Sequence, residues 1–458
     1  MTSTMETEHS SVGRAAAIPT QPATATSESG RMRPSVNRPR VAVIGLGYVG
    51  LPTALSFATG GAIVIGYDIN AGRVSDIEAG RVDLLNGDFK RLESYRGTSE
   101  LTFVSSPEAI ASADVVIICV PTPVDQMQVP DLTALSHACD QVVARSKVGQ
   151  SIILTSTTYV GCTREMLVER LEARGLRIGV DVNVAFSPER IDPGNAAHVP
   201  ERTPRVVGGA TPRCAEVVSS ILSSISADTY SVSSLEVAEL AKLLENSFRA
   251  VNIALANEFA DVARHFRVDP MEVVEAAATK PFGFMPFYPG AGAGGHCIPC
   301  DPHYLLWQLR ASRHDSPITQ SAMNAIAARP RAVVRRARDT LANMRTAISG
   351  AEILVVGVSY KPNVADLRNS PALEIIEELM QLGANVAFTD PLIDEISVRS
   401  VRMKRHVDLG GQPWDLAIIH TLHDEIDSSF SGSARAVLDT TYRATRLYPD
   451  SRPEYHAL

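Results

Sequence analysis

The chain has 458 residues, 45% hydrophobic and 21% charged, ordinary globular usage that excludes wholesale disorder, a collagen-like fibre and a disulfide-stapled miniprotein. Its 43 basic and 51 acidic residues leave a net charge of −8, which offers no footprint for a nucleic-acid backbone, so any anionic ligand must be held locally. The longest uncharged apolar run in the body, Val115 to Val120, falls far short of the roughly 20 residues of a membrane span.

Residues 1–38 are rich in Ser, Thr, Ala and Pro, carry Glu6, Glu8 and Glu28, and lack the apolar core of a secretory signal; a disordered tail is expected. Order is expected from Arg40, where RVAVIG reads as a buried strand, G-L-G-Y-V-G as a turn into a helix that Gly60-Gly61 stops, and AIVIGYD as a second strand ending at Asp68. In such a βαβ unit Gly45, Gly47 and Gly50 let backbone and helix N-terminus approach a pyrophosphate, and the Asp68 carboxylate can bond a ribose diol. The same charge repels a 2′-phosphate, which favours NAD over NADP. The apolar runs LTFV, DVVIICVP, SIILTST and NVAFSPE extend this to a doubly wound sheet over 39–227.

From Ser234 to Phe266, apolar residues at three- and four-residue spacing without Pro or Gly predict one long helix of roughly 45 Å. Its Val237, Leu240, Leu244, Val251, Ile253, Leu255 and Phe259 spread over more than one face, as the core of a homodimer would. The Gly/Pro-rich stretch KPFGFMPFYPGAGAGGHCIPCDPHY follows, and the region 228–330 is expected to combine helix and loop. Cys297-x-x-Cys300 admits four readings: a zinc half-site, a redox pair, a structural thiol or a nucleophile. No second CxxC or spaced His pair completes a zinc set, and Pro299 and Pro302 argue against the helix that a redox motif normally opens. His296 and Asp301 give polar surroundings that suit reactivity, yet chemistry alone leaves nucleophile and structural thiol open. The remaining cysteines, Cys119, Cys139, Cys162 and Cys214, show no disulfide framework and fit a reducing cytoplasm.

A third region, 331–458, repeats strand, loop, helix and strand in AEILVVGVSYKPNVADLRNSPALEIIEELMQLGANVAFTDP, then adds WDLAIIH and ARAVLDTT. The expected fold is α/β, two Rossmann-like doubly wound parallel sheet domains joined by a long central helix, with Asp68 and Asp390 in matching places.

In order along the chain, VAVIGLGYVGLP, CVPTP, TSTTYVG, FSPERIDPGN, AELAKLLENSFRAVN, GGHCIPCDP and GVSYKPNVADLRNSP resemble the UDP-glucose/GDP-mannose-type nucleotide-sugar 6-dehydrogenases over nearly everything after residue 39. FSPERIDPGN and the loop before Cys297 most resemble the bacterial branch acting on UDP-N-acetylglucosamine. The resemblance implies oxidation of a sugar C6 alcohol to a carboxylate with two NAD in turn, Cys297 carrying the aldehyde carbon as thiohemiacetal and then thioester. It implies that Lys242 and Asn246 face the reacting oxygen, that Glu189 activates the hydrolytic water, and that Thr157 and Asp301 orient water and alcohol. With Gly45, Gly47, Gly50 and Asp68, the cofactor site is expected to include Tyr48, Val49, Arg73, Pro121 and Thr122. Arg190, Arg249, Lys361 and Arg368 are expected to contact the UDP-sugar, and no metal site is expected. The chain departs from the family pattern at Val160, Ala291, Ala293 and Cys300, and the two alanines are expected to enlarge the sugar pocket. An epimerase or reductase that recycles NAD, and a non-catalytic nucleotide-sugar sensor, are the competing functions; net NADH formation separates the first.

Overall fold

The structure is a computed structural model that describes residues 38–82, 84, 86–190, 202–444 and 454–458. The tail expected over 1–38 lies outside the described residues except for Arg38, and so does the second half of FSPERIDPGN. No helix among the described residues is long and apolar enough to cross a membrane.

Eight strands build the first sheet: β1 (Arg40–Ile44), β2 (Ile63–Tyr67), β3 (Leu101–Val104), β4 (Val115–Ile118), β5 (Ser151–Leu154), β6 (Asn183–Phe186), β7 (Arg205–Gly209) and β8 (Thr229–Val232). Their order is β3-β2-β1-β4-β5-β6-β7-β8, parallel except between β6 and β7. Alternation sorts the side chains to two cores: Ala42, Ile44, Val116 and Ile118 pack on one face, Val41, Val43, Val115 and Ile117 on the other. Helices cover both faces, so the central strands read as unbroken apolar runs. The chain winds one way from β1 and the other way from β4, which opens a crevice at the carboxyl ends of these two neighbours.

A boundary at 227 falls just before β8, which still pairs with β7. The long helix then runs Leu235–Phe266, with the Ser234 hydroxyl accepting from the Val237 amide and Arg267 closing it in the left-handed region at φ 59°. Its buried face is rich in small residues, among them Ala238, Ala250, Ala254 and Ala260, which let the helices Asp301–Ala311 and Pro317–Asn343 come close. The boundary drawn at 330 falls inside the second of these, where Pro330 is carried within a 27-residue helix.

The second sheet holds β9 (Glu352–Val356), β10 (Asn385–Thr389), β13 (Leu416–Ile419), β14 (Ala436–Asp439) and β15 (Glu454–Ala457), with β11 (Glu395–Val398) and β12 (Val401–Lys404) as a separate antiparallel hairpin. The order β10-β9-β13-β14-β15 places a second switch point between β9 and β13. Asp390 follows β10 as Asp68 follows β2. It is wholly buried, however, accepting from the Val358 and Ser359 amides, the Ser359 hydroxyl and His423, and so serves the loop after β9 rather than a ligand.

Candidate active site

At the first switch point, Gly45 stands at φ +86°, and a Cβ there would lie 2.8 Å from the Cys119 carbonyl oxygen. A Cβ on Gly50 would lie 1.8 Å from the Gly45 oxygen, so strand and helix pack as only glycine permits. Gly47 meets nothing within 4 Å: its bare face looks into open space beside the helix N-terminus. This cradle fits the pyrophosphate of a dinucleotide. Asp68 holds the loop through hydrogen bonds from the Leu46 amide (2.8 Å) and the Asn70 amide (2.9 Å), and Arg73 donates to the Leu46 carbonyl (2.9 Å).

A cavity of about 570 Å³ opens from Gly47, Tyr48 and Val49, past Pro121 and Thr122 after β4, to the long helix and the loop after β9. Lys242, Asn246 and Arg249 enter from the helix, the first two one turn apart on its buried face. Lys242 Nζ donates to the Glu189 carbonyl at 3.0 Å. Asn246 Nδ2 donates to Asp301 Oδ2, and Thr157 bonds the same carboxyl. Burial pushes Asp301 up to about 6, against the pull of Lys242 and of these two hydrogen bonds. It is a carboxylate at neutral pH that takes a proton slightly below it.

Cys297 lines the same cavity. Its thiol is pushed up to about 12, first by burial and then by the Asp301 charge, with Lys242 opposing. It therefore rests as the thiol at neutral pH, despite the polar groups around it. Cys300 stands at the entrance of the helix Asp301–Ala311, so CxxC does lead into a helix after all: Pro302 sits in the first turn, where a missing N–H costs nothing. All six cysteines are free thiols.

The sequence-based site divides as follows. Thr157, Glu189, Lys361 and Arg368 line the cavity with the residues above; Gly45, Gly50, Asp68 and Arg73 lie outside its lining, beneath or beside the glycine loop. Arg190 is turned away. Its guanidinium is bound by Glu245 and by the Pro204 carbonyl, so it is not a wall of the cavity as expected. The partner of Glu189 is instead Arg205 at 2.7 Å, both side chains less than a tenth exposed. Ala291 and Ala293 do not line the cavity; Ala291 packs in the core with Val333 and Val334, and Ala293 packs against Ile298 and Met323. They cannot enlarge it directly.

Sequence reading did not place Arg205, Tyr360 or Asn369 at the site. Arg205 opens β7, an antiparallel neighbour of β6 that leaves no periodic signal, whereas Tyr360 and Asn369 flank the two motif residues Lys361 and Arg368. Arg368 chelates Asp366 and lies 5.0 Å over the Tyr48 ring, which also stands edge-to-face with His296, ring centroids 6.2 Å apart. Burial holds His296 down at about 4, hence neutral, with Nδ1 enclosed and without a hydrogen-bond partner among the described residues.

Three family models match consecutive parts of the chain: the NAD binding domain of the UDP-glucose/GDP-mannose dehydrogenase family over 39–226, its central domain over 236–325 and its UDP binding domain over 354–446. A UDP-N-acetyl-D-glucosamine 6-dehydrogenase of Pseudomonas aeruginosa is 38% identical over 356 residues, covering 77% of this chain and 83% of that one. A UDP-N-acetyl-D-mannosamine dehydrogenase of Escherichia coli K12 is 34% identical over 74% of this chain and 82% of its own. Among solved structures, a UDP-D-ManNAc dehydrogenase from Pyrococcus horikoshii superposes with a TM-score of 0.82 at 31% identity, covering 91% and 98%. A glycine cradle stands at one switch point, a basic loop at the other and a thiol between them, and with all three domain models matched the chain belongs to the UDP-glucose/GDP-mannose dehydrogenase family, as an NAD-dependent UDP-sugar dehydrogenase.

Proposed function

We propose that the chain oxidises C6 of UDP-N-acetylglucosamine from alcohol to carboxylate without releasing the aldehyde. The observation that carries this reading is the convergence of Cys297, Lys242, Asn246, Asp301, Thr157 and Glu189 on one cavity that also meets the glycine loop and Lys361. NAD, which Gly45 to Gly50, Asp68, Pro121 and Thr122 would hold, supplies the hydride acceptor, one molecule for each oxidation, the first NADH being exchanged for a second NAD between them. Thr157 and Asp301 orient the C6 hydroxyl, and Asp301 takes its proton and passes it to solvent before the second oxidation, while Lys242 and Asn246 stabilise charge on its oxygen. Sγ of Cys297 then adds to the aldehyde carbon; because the thiol is protonated at neutral pH, its proton passes by way of the Asp301 carboxylate to the carbonyl oxygen as the C–S bond forms, which leaves a neutral thiohemiacetal. Loss of the second hydride and a proton leaves the thioester. Water activated by Glu189 cleaves it, restoring the thiol and releasing the uronate. Arg249, Lys361 and Arg368 hold the UDP anion, in a division of labour that gives 39–227 to NAD, 228–330 to the thiol and 331–458 to UDP.

Steady-state NADH formation with three UDP-sugars tests the reading. The N-acetylglucosamine sugar is expected to exceed UDP-glucose by about 10² in kcat/KM, since a site built for an acetamido group leaves polar groups unpaired and a void around glucose. A preference for UDP-glucose overturns the sugar assignment. The mannosamine epimer is the second reading, favoured by the Pyrococcus structure's match, and a higher kcat/KM with that sugar selects it.

Glu189→Gln is expected to slow hydrolysis, so that intact-mass spectra with substrate and NAD show a sugar adduct on Cys297. Free enzyme alone, at undiminished turnover, removes Glu189 from the mechanism. Asp68→Ala is expected to weaken NAD by about tenfold, through loss of charge-assisted bonds to ribose, and to relax discrimination against NADP. Isothermal titration with both cofactors measures this.

A homodimer is also proposed, in the cytoplasm where free thiols persist. The outward face of the long helix leaves Leu240, Leu244, Phe248, Leu255, Phe259 and Phe266 exposed, a stripe that water disfavours. Light scattering at micromolar concentration is expected to give the mass of two chains; a monomer refutes it.

A further inference from the structure

Arg329 lies on the helix Pro317–Asn343, immediately before Pro330, and is only 3% exposed. Its guanidinium is shared three ways. Nε donates to the Gly290 carbonyl, Nη1 to Asp261 Oδ2 on the long helix and Nη2 to the Tyr442 hydroxyl, each at 3.0 Å. Tyr442 in turn donates to the Leu458 carbonyl at 2.9 Å. The loop before the nucleophile, the long helix and the second sheet's domain thus meet on one planar fork, a geometry that lysine cannot reproduce.

The loop is gripped at two points. At Gly290 the carbonyl takes Arg329 and the amide donates to Asn257 Oδ1 at 2.9 Å. At Gly295 the amide donates to the Arg368 carbonyl (2.8 Å) and the carbonyl accepts from Asn369 Nδ2 (2.9 Å). Between them Gly292 sits at φ +148°, where a Cβ would come within 2.9 Å of Pro371, and Cys297 follows two residues past the second grip. A glycine-rich span has the most backbone alternatives of any sequence, so its course depends on what holds its ends. Thr157, which serves the alcohol, follows β5, and Lys242 and Asn246 lie on the long helix about three turns or more from Asn257 and Asp261, where the first grip is made.

We infer that Arg329 is a positioning residue for the second oxidation. By fixing Gly290 against the long helix and Tyr442, it sets the reach of the Cys297 sulfur to C6, so that the C–S bond forms before the aldehyde departs. The inference rests on the thiol chemistry proposed above.

The test counts NADH per UDP-N-acetylglucosamine consumed, with hydroxylamine present to trap free aldehyde as an oxime. Wild type is expected to give two. Arg329→Met is expected to fall toward one with oxime accumulating, the second step slowed about 10²-fold by a misplaced thiol, while NAD and UDP affinities stay unchanged. Arg329→Lys, which keeps the charge beside Asp261 but not the fork, is expected to resemble Arg329→Met. Asn257→Ala, which frees the other side of the same peptide, and Tyr442→Phe, a milder change that decides the matter if Arg329→Met does not fold, are expected to shift the ratio in the same direction. A ratio that stays at two in these variants, a parallel fall of both steps, or full rescue by lysine overturns the inference. Cys297→Ala run alongside separates the two claims: if it too gives two NADH per sugar, the thiol chemistry itself is wrong.

Discussion

Cys297→Ala is expected to lower uronate formation by at least ~10³-fold while sparing the first hydride removal, so that one NADH forms per sugar and the aldehyde appears in solution. The aldehyde carbon has no hydride to give until a nucleophile adds, and Cys297 is the thiol that lines the cavity beside Lys242 and Asp301 without being tied into the core. Cys300 supplies the internal control. It is buried, its sulfur meets Asn369 Nδ2 at 3.9 Å and the Val124 backbone, and its amide closes the turn onto the Cys297 carbonyl at 3.1 Å. Cys300→Ala removes a small apolar volume and is expected to retain most activity. Equal loss in both variants points to paired-cysteine chemistry and defeats the nucleophile assignment.

Asp301→Asn is expected to separate stability from activity. The carboxyl is pushed from its ordinary value of 3.8 up to about 6 by burial, so between those values the folded chain keeps a proton that the unfolded chain has lost. Stability therefore declines as pH rises through this window, and above about pH 6 the whole cost of the buried charge is present. An amide of the same shape escapes that cost and still accepts from Asn246 Nδ2. Asp301→Asn should accordingly gain on the order of 1–3 kcal/mol near pH 7.5 and nothing near pH 3.5, read from thermal unfolding at the two values. Its turnover should fall by about 10²–10⁴, the ordinary worth of a general base, and the wild-type rate should itself drop as pH is lowered through about 6. Turnover within tenfold of wild type removes Asp301 as the proton acceptor.

Such a trade is common at sites where a charge is held in place for chemistry rather than for folding. Arg205 and Glu189 illustrate the alternative, a buried pair in which each charge answers the other. Replacing one partner strands the other, so Arg205 variants and Glu189→Gln alike need thermal unfolding measured beside activity.

Strands such as VAVIG and VVIIC were legible because burial on both faces leaves an unbroken apolar run, and the glycine loop because backbone geometry at Gly45 and Gly50 admits no side chain. The long helix was legible from its spacing, and the same spacing places Lys242 and Asn246 on one face, since four residues make about one turn. Each of these depends on neighbours in the chain. The misses depend on residues far from one another. β7 and β8 are short and paired only with each other and β6, so Arg205 reached Glu189 without any local sign, and Arg190, adjacent in sequence, was drawn off by Glu245 on the long helix. Pro302 was read as a barrier although the first helical turn has no use for its missing N–H. Ala291 and Ala293 stood near the nucleophile in sequence yet face the core, because the loop that carries them is threaded between helices and gripped at Gly290 and Gly295. Local pattern governs which elements form and which chemistry they carry; which side chains meet is governed by burial, charge pairing and hydrogen bonds across the sheet and between the helices, and these have no periodicity to read.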